Sequence, residues 1–204
     1  MNHVVSTLQL PEMSEAERTG MFQLRYEVFA GRLGWAVQTH DGLERDAFDD
    51  IERAAYIIAK SPGTEVDACW RLLPTVGPYM LSHTFPELLH GQPAPAAADI
   101  WELSRFAIAS DRVATADSGF GPLSVALMAE AARFALANNI VRYVTVTTVA
   151  IERLLKRQGL HIHRIGPPIK IGVVLTVACI IEVDEITLRA VQTEEPEPSL
   201  NGLA

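Results

Sequence analysis

Cysteine is scarce in this chain of 204 residues, and the scarcity excludes whole classes of protein. Cys69 and Cys179 both sit in apolar runs, and no Cys-x-x-Cys occurs. That argues against a disulfide-stapled secreted scaffold and a redox pair, and predicts buried, reduced thiols. The six histidines are scattered, with His161-x-His163 the one close pair. A metal centre needs more ligands than that, so no metal is expected. Basic residues are outnumbered: 17 Lys and Arg against 25 Asp and Glu leave a net charge of −8. Nucleic acid is therefore not an expected partner, and no helix-turn-helix spacing points to a regulator. Long apolar runs are missing too. The longest, Ile171 to Ile181, carries Gly172 and Thr176 and is too short to span a bilayer, so no stable membrane insertion is expected. No basic segment followed by an apolar core opens the chain, which leaves the cytoplasm as the expected location.

What is present is ordinary in bulk: 49% apolar and 21% charged residues, the composition of a soluble globular protein with one sizeable core. Ser14-x-x-Glu17 is a capping box, and Met21, Leu24 and Val28 continue it as a helical stripe flanked by Phe22 and Phe29. A long polar loop follows, holding Trp35, Phe48 and the acidic cluster Asp46, Asp49, Asp50 and Glu52. Loops of this length are usually functional or disordered, and two aromatics favour a cover over something. Strands are predicted at 54–59 and 66–73, joined through Ser61-Pro62-Gly63, and a short helix over 84–89 is capped by Thr84. A strand at 100–108 precedes a polar segment, a helix over 121–138, a β-branched strand at 141–149 and a helix over 150–158. The last strands are predicted at 162–165 and 172–183, and a Glu- and Pro-rich tail from 192 reads as disordered. The interleaving predicts an α/β domain over 1–191 with a mixed sheet in a three-layer α-β-α sandwich.

Two predicted core strands break the apolar rule. Ile100-Trp101-Glu102-Leu103-Ser104-Arg105-Phe106 holds a carboxylate, a hydroxyl and a guanidinium, and Cys69-Trp70-Arg71-Leu72 holds a second guanidinium. Ionised groups are seldom fully buried unless paired, so a polar cleft is expected between the strands. The bland alternative is a Glu–Arg pair that only fixes strand register.

Together, Arg25-x-x-x-Phe29, Gly34-Trp35, Asp46-x-x-Asp49, Cys69-Trp70-Arg71-Leu72, Gly77-Pro78-Tyr79-Met80, Phe85-Pro86-Glu87-Leu88 and Trp101-Glu102-Leu103-Ser104-Arg105-Phe106 resemble the acyl-homoserine lactone synthases, the autoinducer synthases of bacterial quorum sensing. Each piece alone is weak, while their joint order across residues 20–185 is specific. The resemblance implies an acetyltransferase-like (GNAT-like) fold. It implies S-adenosylmethionine as a substrate, with no resident cofactor, and an acyl group delivered by acyl carrier protein or, less often, coenzyme A. The products implied are an N-acyl-homoserine lactone and methylthioadenosine.

Within that frame Glu102 is the candidate base for the methionyl amine, with Ser104 beside it, because an α-amino group is largely protonated near neutral pH. Arg25 or Arg105 is the candidate clamp for the methionyl carboxylate. Phe29, Trp35, Asp46, Asp49 and Arg71 are expected on the S-adenosylmethionine side, where a sulfonium wants acidic and aromatic neighbours. Three residues apart on a regular strand, Glu102 and Arg105 would face opposite sides. A bulge resolves this, or else Arg105 pairs with the acidic loop, which is the favoured reading. Acyl-pocket candidates are Trp70, Met80, Leu103, Phe106, Leu123, Leu127, Met128, Thr147, Val149 and Leu155, for each of which plain core packing competes. Thr147 stands out as a hydroxyl in a core strand; by the resemblance it leans the chain towards a medium or long acyl group, 3-oxo among the options. Arg153, Lys156 and Arg157, extended by Arg164 and Lys170, form the candidate docking patch for an acidic carrier protein.

Two other readings compete. A general acyl-coenzyme A N-acyltransferase needs an Arg/Gln-x-x-Gly-x-Gly/Ala loop before a helix, and Gly119-Phe120-Gly121 has Ala116 in the first position. A non-catalytic acyl-binding member is disfavoured by the presence of Glu102, Arg25 and Arg105.

Overall fold

The structure, a computed structural model, describes residues 3–61, 65–109 and 119–191. The expected Pro62-Gly63 turn, the polar segment 110–118 and the tail from 192 lie outside the described residues. In chain order the elements are β1 (Val4–Gln9), α1 (Glu15–Arg25), a π-helical turn (Tyr26–Arg32), β2 (Thr39–His40), β3 (Leu43–Glu44), a 3-10 turn (Ala47–Asp50), β4 (Ala55–Lys60) and β5 (Val66–Pro74). There follow α2 (Met80–His83), a second 3-10 turn (Pro86–Leu89), β6 (Ile100–Ile108), α3 (Pro122–Ala137), β7 (Arg142–Thr148) and α4 (Val149–Gln158). The last are β8 (Ile162–Arg164), β9 (Ile169–Ile171), β10 (Val174–Glu182) and α5 (Glu185–Val191).

The main sheet runs β1-β4-β5-β6-β7-β10-β8, with β9 also on β10. Among the described residues only the β6–β7 pair is parallel, and it joins Ile100–Leu103 to Arg142–Thr145 before the strands part. One face packs under α3 and α5, where Leu123, Leu127 and Ala131 meet Ile57, Leu72 and Leu103. The other face lies under α1, where Met21, Phe22 and Leu24 meet Tyr56, Ile58 and Leu73. This is the three-layer α/β arrangement with a mixed sheet that the pattern predicts.

Local chemistry explains the element ends. Ser14 Oγ accepts from the Glu17 N–H at 3.3 Å, while Glu17 accepts from the Ser14 N–H at 2.8 Å. After Arg25 the chain winds wider, and the Leu33 N–H reaches the Val28 carbonyl at 2.9 Å. Such π turns are frequent at functional sites. Gly159 ends α4 at φ +100, where only glycine is unstrained.

Three expectations change. The predicted helix at Thr84 is a 3-10 turn from Pro86, and Thr84 instead closes α2, whose four residues are too few for periodicity to reveal. The strand predicted over 172–183 is β10, which begins only at Val174 because Gly172, at φ +59, and Val173 form a turn, and β9, which precedes that turn and pairs with β10, was not predicted. Helix α5 was not expected; the Asp184 carboxylate starts it by accepting from the N–H groups of Ile186 and Thr187 at 3.1 Å.

Candidate active site

A bulge in β6 builds the site. Arg71 of β5 faces Ser104 and Cys69 faces Ala107, so the single residue Trp70 opposes both Arg105 and Phe106. Arg105 takes φ +58, a conformation that costs a non-glycine residue about 1–2 kcal/mol. The bulge inverts the strand's alternation. Trp101 and Leu103 join the α3-side core before it, and Phe106 and Ile108 join that same core after it. Glu102, Ser104 and Arg105 thereby reach one face. The two ways of bringing Arg105 into the site are not alternatives: the bulge and the pairing with the acidic loop occur together.

Glu102 is 1% exposed. Its neighbours across the sheet are Leu73 of β5 and Val144 of β7, both fully buried. Its carboxylate accepts from the backbone N–H groups of Met80 at 2.9 Å and Leu81 at 2.7 Å. Burial is the largest influence on its acidity and pushes its pKa up to about 7, against the two N–H groups and the nearby charges of Arg71 and Arg105.

Beside it three guanidinium groups meet three carboxylates. Arg25 holds Glu44 through Nε at 2.5 Å and grips Asp49 with both Nη atoms at 2.8 and 3.0 Å. Arg71 holds Asp46 at 2.6 Å and Asp49 at 2.9 Å through Nη1, and its Nε donates to Ser104 Oγ at 3.2 Å. Arg105 joins Glu44 at 3.0 Å to Asp46 at 2.8 Å. The Tyr56 hydroxyl donates to Asp49 at 2.8 Å. Burial pushes Asp49 up, but Arg25 and Arg71 outweigh it and hold the carboxyl well below its usual range. The acidic turn is ordered by its own side chains: Asp46 accepts from the Phe48 N–H, and Asp49 from the Asp46 N–H. Over this layer Phe29 stacks on Trp35 at 5.4 Å and 19°, and the Arg105 guanidinium lies 5.4 Å from the Phe29 ring centre. Trp35 remains 47% exposed.

On the opposite face of the sheet, Trp70, Leu103 and Met128 line an apolar cavity of about 20 Å³ together with Tyr143, Leu160 and Ile181. Phe106 packs edge-on against Trp70 at 5.0 Å. Leu123, Leu127, Val149 and Leu155 belong to the same apolar layer. Thr147 is half-buried near the end of β7, whereas Thr145 is the buried hydroxyl there and donates to the Leu103 carbonyl at 2.9 Å. Met80 does not join this layer: its sulfur lies 3.2 Å from Arg71 Nη2 and 3.2 Å from Arg105 Nη1 on the charged face.

A family model described as autoinducer synthase matches residues 9–191. The chain belongs to the autoinducer synthase family. It is similar to the acyl-homoserine-lactone synthase of Pseudomonas aeruginosa, 45% identical over 168 residues that cover 82% of this chain and 83% of that one. Among solved structures it is similar to the AHL synthase LasI, at 40% identity and a TM-score of 0.85, over 96% and 99% of the two chains. It is also similar to BjaI, a CoA-dependent acyl-homoserine lactone synthase solved with SAM and isopentyl-CoA, at 26% identity and a TM-score of 0.82, over 93% and 88% of the two chains. The activity is that of an acyl-homoserine-lactone synthase, an acyltransferase.

In this synthase Arg25, Asp46, Asp49, Arg71, Ser104 and Arg105 form one bonded network, with Phe29 and Trp35 above it and Glu102 at its edge. Arg153, Lys156 and Arg157 stand apart, exposed on α4. Lys156 and Arg164 both pair with the buried Glu152, at 2.7 and 2.6 Å. The sequence reading omitted Glu44, which is 0% exposed and bridges Arg25 and Arg105. A charge count gave no signal, because Asp46, Asp49 and Glu102 already balance Arg25, Arg71 and Arg105 until the structure shows Glu102 bound to backbone N–H groups. Asp50 and Glu52 of the acidic cluster are exposed, and Asp50 pairs with Arg45.

Proposed function

We propose that this synthase joins the amine of S-adenosylmethionine to an acyl group from acyl carrier protein and then closes the homoserine lactone, releasing methylthioadenosine. One observation carries the reading: among the described carboxylates of the site, Glu102 alone is held by backbone N–H groups without an arginine, while Glu44, Asp46 and Asp49 are each paired with arginines. A carboxyl poised near pH 7 suits a general base, since proton transfer works best when the base matches the working pH. Glu102 takes the proton of the methionyl ammonium, directly or through water, with Ser104 fixing the approach. The amine nitrogen bonds to the acyl carbon and the C–S bond of the thioester breaks; the nitrogen's second proton goes to the leaving thiolate, and Glu102 releases the first to solvent. Backbone N–H groups where β6 parts from β7 are the proposed oxyanion donors.

In the second step a carboxylate oxygen of the substrate attacks the carbon beside the sulfonium, and the C–S⁺ bond breaks. No proton moves, so orientation supplies the rate. Arg105 is the proposed carboxylate clamp: its side chain is 10% exposed, while Arg25 is 1% exposed and committed to Glu44 and Asp49. Arg25 and Arg71 then hold the clamp's partners in place. Trp35 and Phe29 offer a π surface to the adenosyl sulfonium, and Asp46 is the least buried acid of the network. No resident cofactor is proposed.

The acyl chain is assigned to the layer lined by Trp70, Leu103, Phe106 and Met128. A cavity of about 20 Å³ holds little more than one water-sized sphere, so a medium or long chain has to displace side chains there. Exposed Arg153, Arg157 and Lys170 suit an acidic carrier, and BjaI's use of a CoA thioester makes CoA the donor to test against it. Mass spectrometry of lipophilic extracts, with Arg105→Ala as control, tests the reaction, and purified enzyme offered both thioesters tests the donor. Acyl-homoserine lactones from the native protein alone support the proposal and their masses give the chain. Folded protein that makes none from any donor overturns it.

A further inference from the structure

Met80 stands where the two halves of the site meet. Its backbone N–H donates to Glu102 Oε2 at 2.9 Å, and its sulfur is 3.2 Å from Arg71 Nη2 and from Arg105 Nη1. It is 7% exposed. Both guanidinium groups also hold stronger acceptors: Arg71 uses Ser104, Asp46 and Asp49, and Arg105 uses Glu44 and Asp46. One N–H of each points at a thioether, a weak and uncharged acceptor. A buried guanidinium N–H without an acceptor turns to the nearest one available, and Glu102 lies within the electrostatic reach of both arginines.

We propose that Met80 is a positioning residue whose sulfur occupies the Arg71 and Arg105 N–H groups, so that Glu102 keeps backbone partners only and stays free to accept a proton. Every group facing Glu102 fits that task. From β5 come Leu73 and Arg71, from β7 Val144, and from β6 itself Ser104 and Arg105. From α2 come the N–H groups of Met80 and Leu81, with the Tyr79 phenol nearby. Among the described residues Arg71 and Arg105 are the cations that act on Glu102, and the Met80 sulfur touches both. The effect on rate rests on the proposed role of Glu102 as base; the effect on Glu102's own titration does not.

The test follows the ¹³C-labelled glutamate carboxyl signals through a pH titration, with Glu102 assigned by Glu102→Gln, alongside the pH profile of kcat/KM. Met80→Leu conserves volume and removes the acceptor. It is expected to lower the Glu102 midpoint by about one pH unit and to move the acid limb of the rate profile with it. Met80→Gln supplies an uncharged amide oxygen and is expected to keep the native midpoint. The substrate amine titrates alike for every variant, so differences between variants belong to the enzyme. A native midpoint in folded Met80→Leu, or equal displacement in both variants, overturns the proposal; Met80→Ile gives the same sulfur-free comparison if Met80→Leu does not fold. A midpoint that moves while the rate profile stays supports the positioning role and removes Glu102 as the base.

Discussion

The two faces of the central sheet are buried to similar extents and are held together in different ways. Under α3 the contacts are apolar and non-directional, and stability follows the area removed from water. Under α1 and its π turn, Arg25, Arg71 and Asp49 are 1%, 1% and 3% exposed, and each charge is affordable only because its partners are fixed. The apolar face tolerates exchange of one hydrocarbon for another, while the charged face ties its side chains to defined positions. β6 serves both because one bulge at Arg105 switches which residues point where.

Breaking the charged face should have the largest effect. Asp49→Ala strands Arg25, Arg71 and the Tyr56 hydroxyl together, and about 3–5 kcal/mol of stability should be lost in urea titration. A loss no larger than that of an exposed pair would mean that water or neighbouring acids compensate. On the apolar face, Leu127→Ala at a fully buried position should cost about 2–5 kcal/mol and leave the pH dependence of unfolding unchanged. That contrast in pH behaviour is the sharper distinction between the faces.

Glu102 tests it directly. Its raised pKa favours the protonated form in the folded state, so its contribution is full below about pH 4.5 and is lost as pH rises through about 7. A rise from 4.5 to about 7, at about 1.4 kcal/mol per pH unit, amounts to about 3 kcal/mol. Glu102→Gln should remove that decline in unfolding free energy while catalysis falls about 10²–10⁴-fold. Asp49 runs the other way: with its pKa depressed, its contribution is present above the ordinary carboxylate range and is lost as pH falls below it. The smallest effect is expected at the exposed edge, where Lys156 is half in water. Lys156→Ala should change stability by less than about 1 kcal/mol, because Arg164 still pairs Glu152, and any loss of carrier-dependent rate would then report docking alone.

Much of this was legible in the residues. The apolar strands at 66–73 and 100–108, the capping box at Ser14 and the helix ending at Asn138 announce themselves through periodicity and end signals, which act over a few neighbours. Arg71, Glu102 and Arg105 stood out because a charge inside an apolar strand demands an explanation. Helix α2 did not, because four residues carry no period. Glu44 did not either, because a glutamate in a polar loop looks the same whether it faces water or two arginines.

The sequence by itself determined the layer order, the family motifs and the need for a buried charge network, since each depends on residue type and local spacing. Only the tertiary structure decided that Arg105 shares a face with Glu102, that Glu44 completes the charge balance and that Met80 turns its sulfur to the arginines instead of the apolar layer. Those facts depend on a single left-handed residue and on contacts between segments up to 61 positions apart, such as Glu44 with Arg105. Long-range pairing of that kind leaves no periodic trace in the chain, because it is selected by the packed arrangement as a whole.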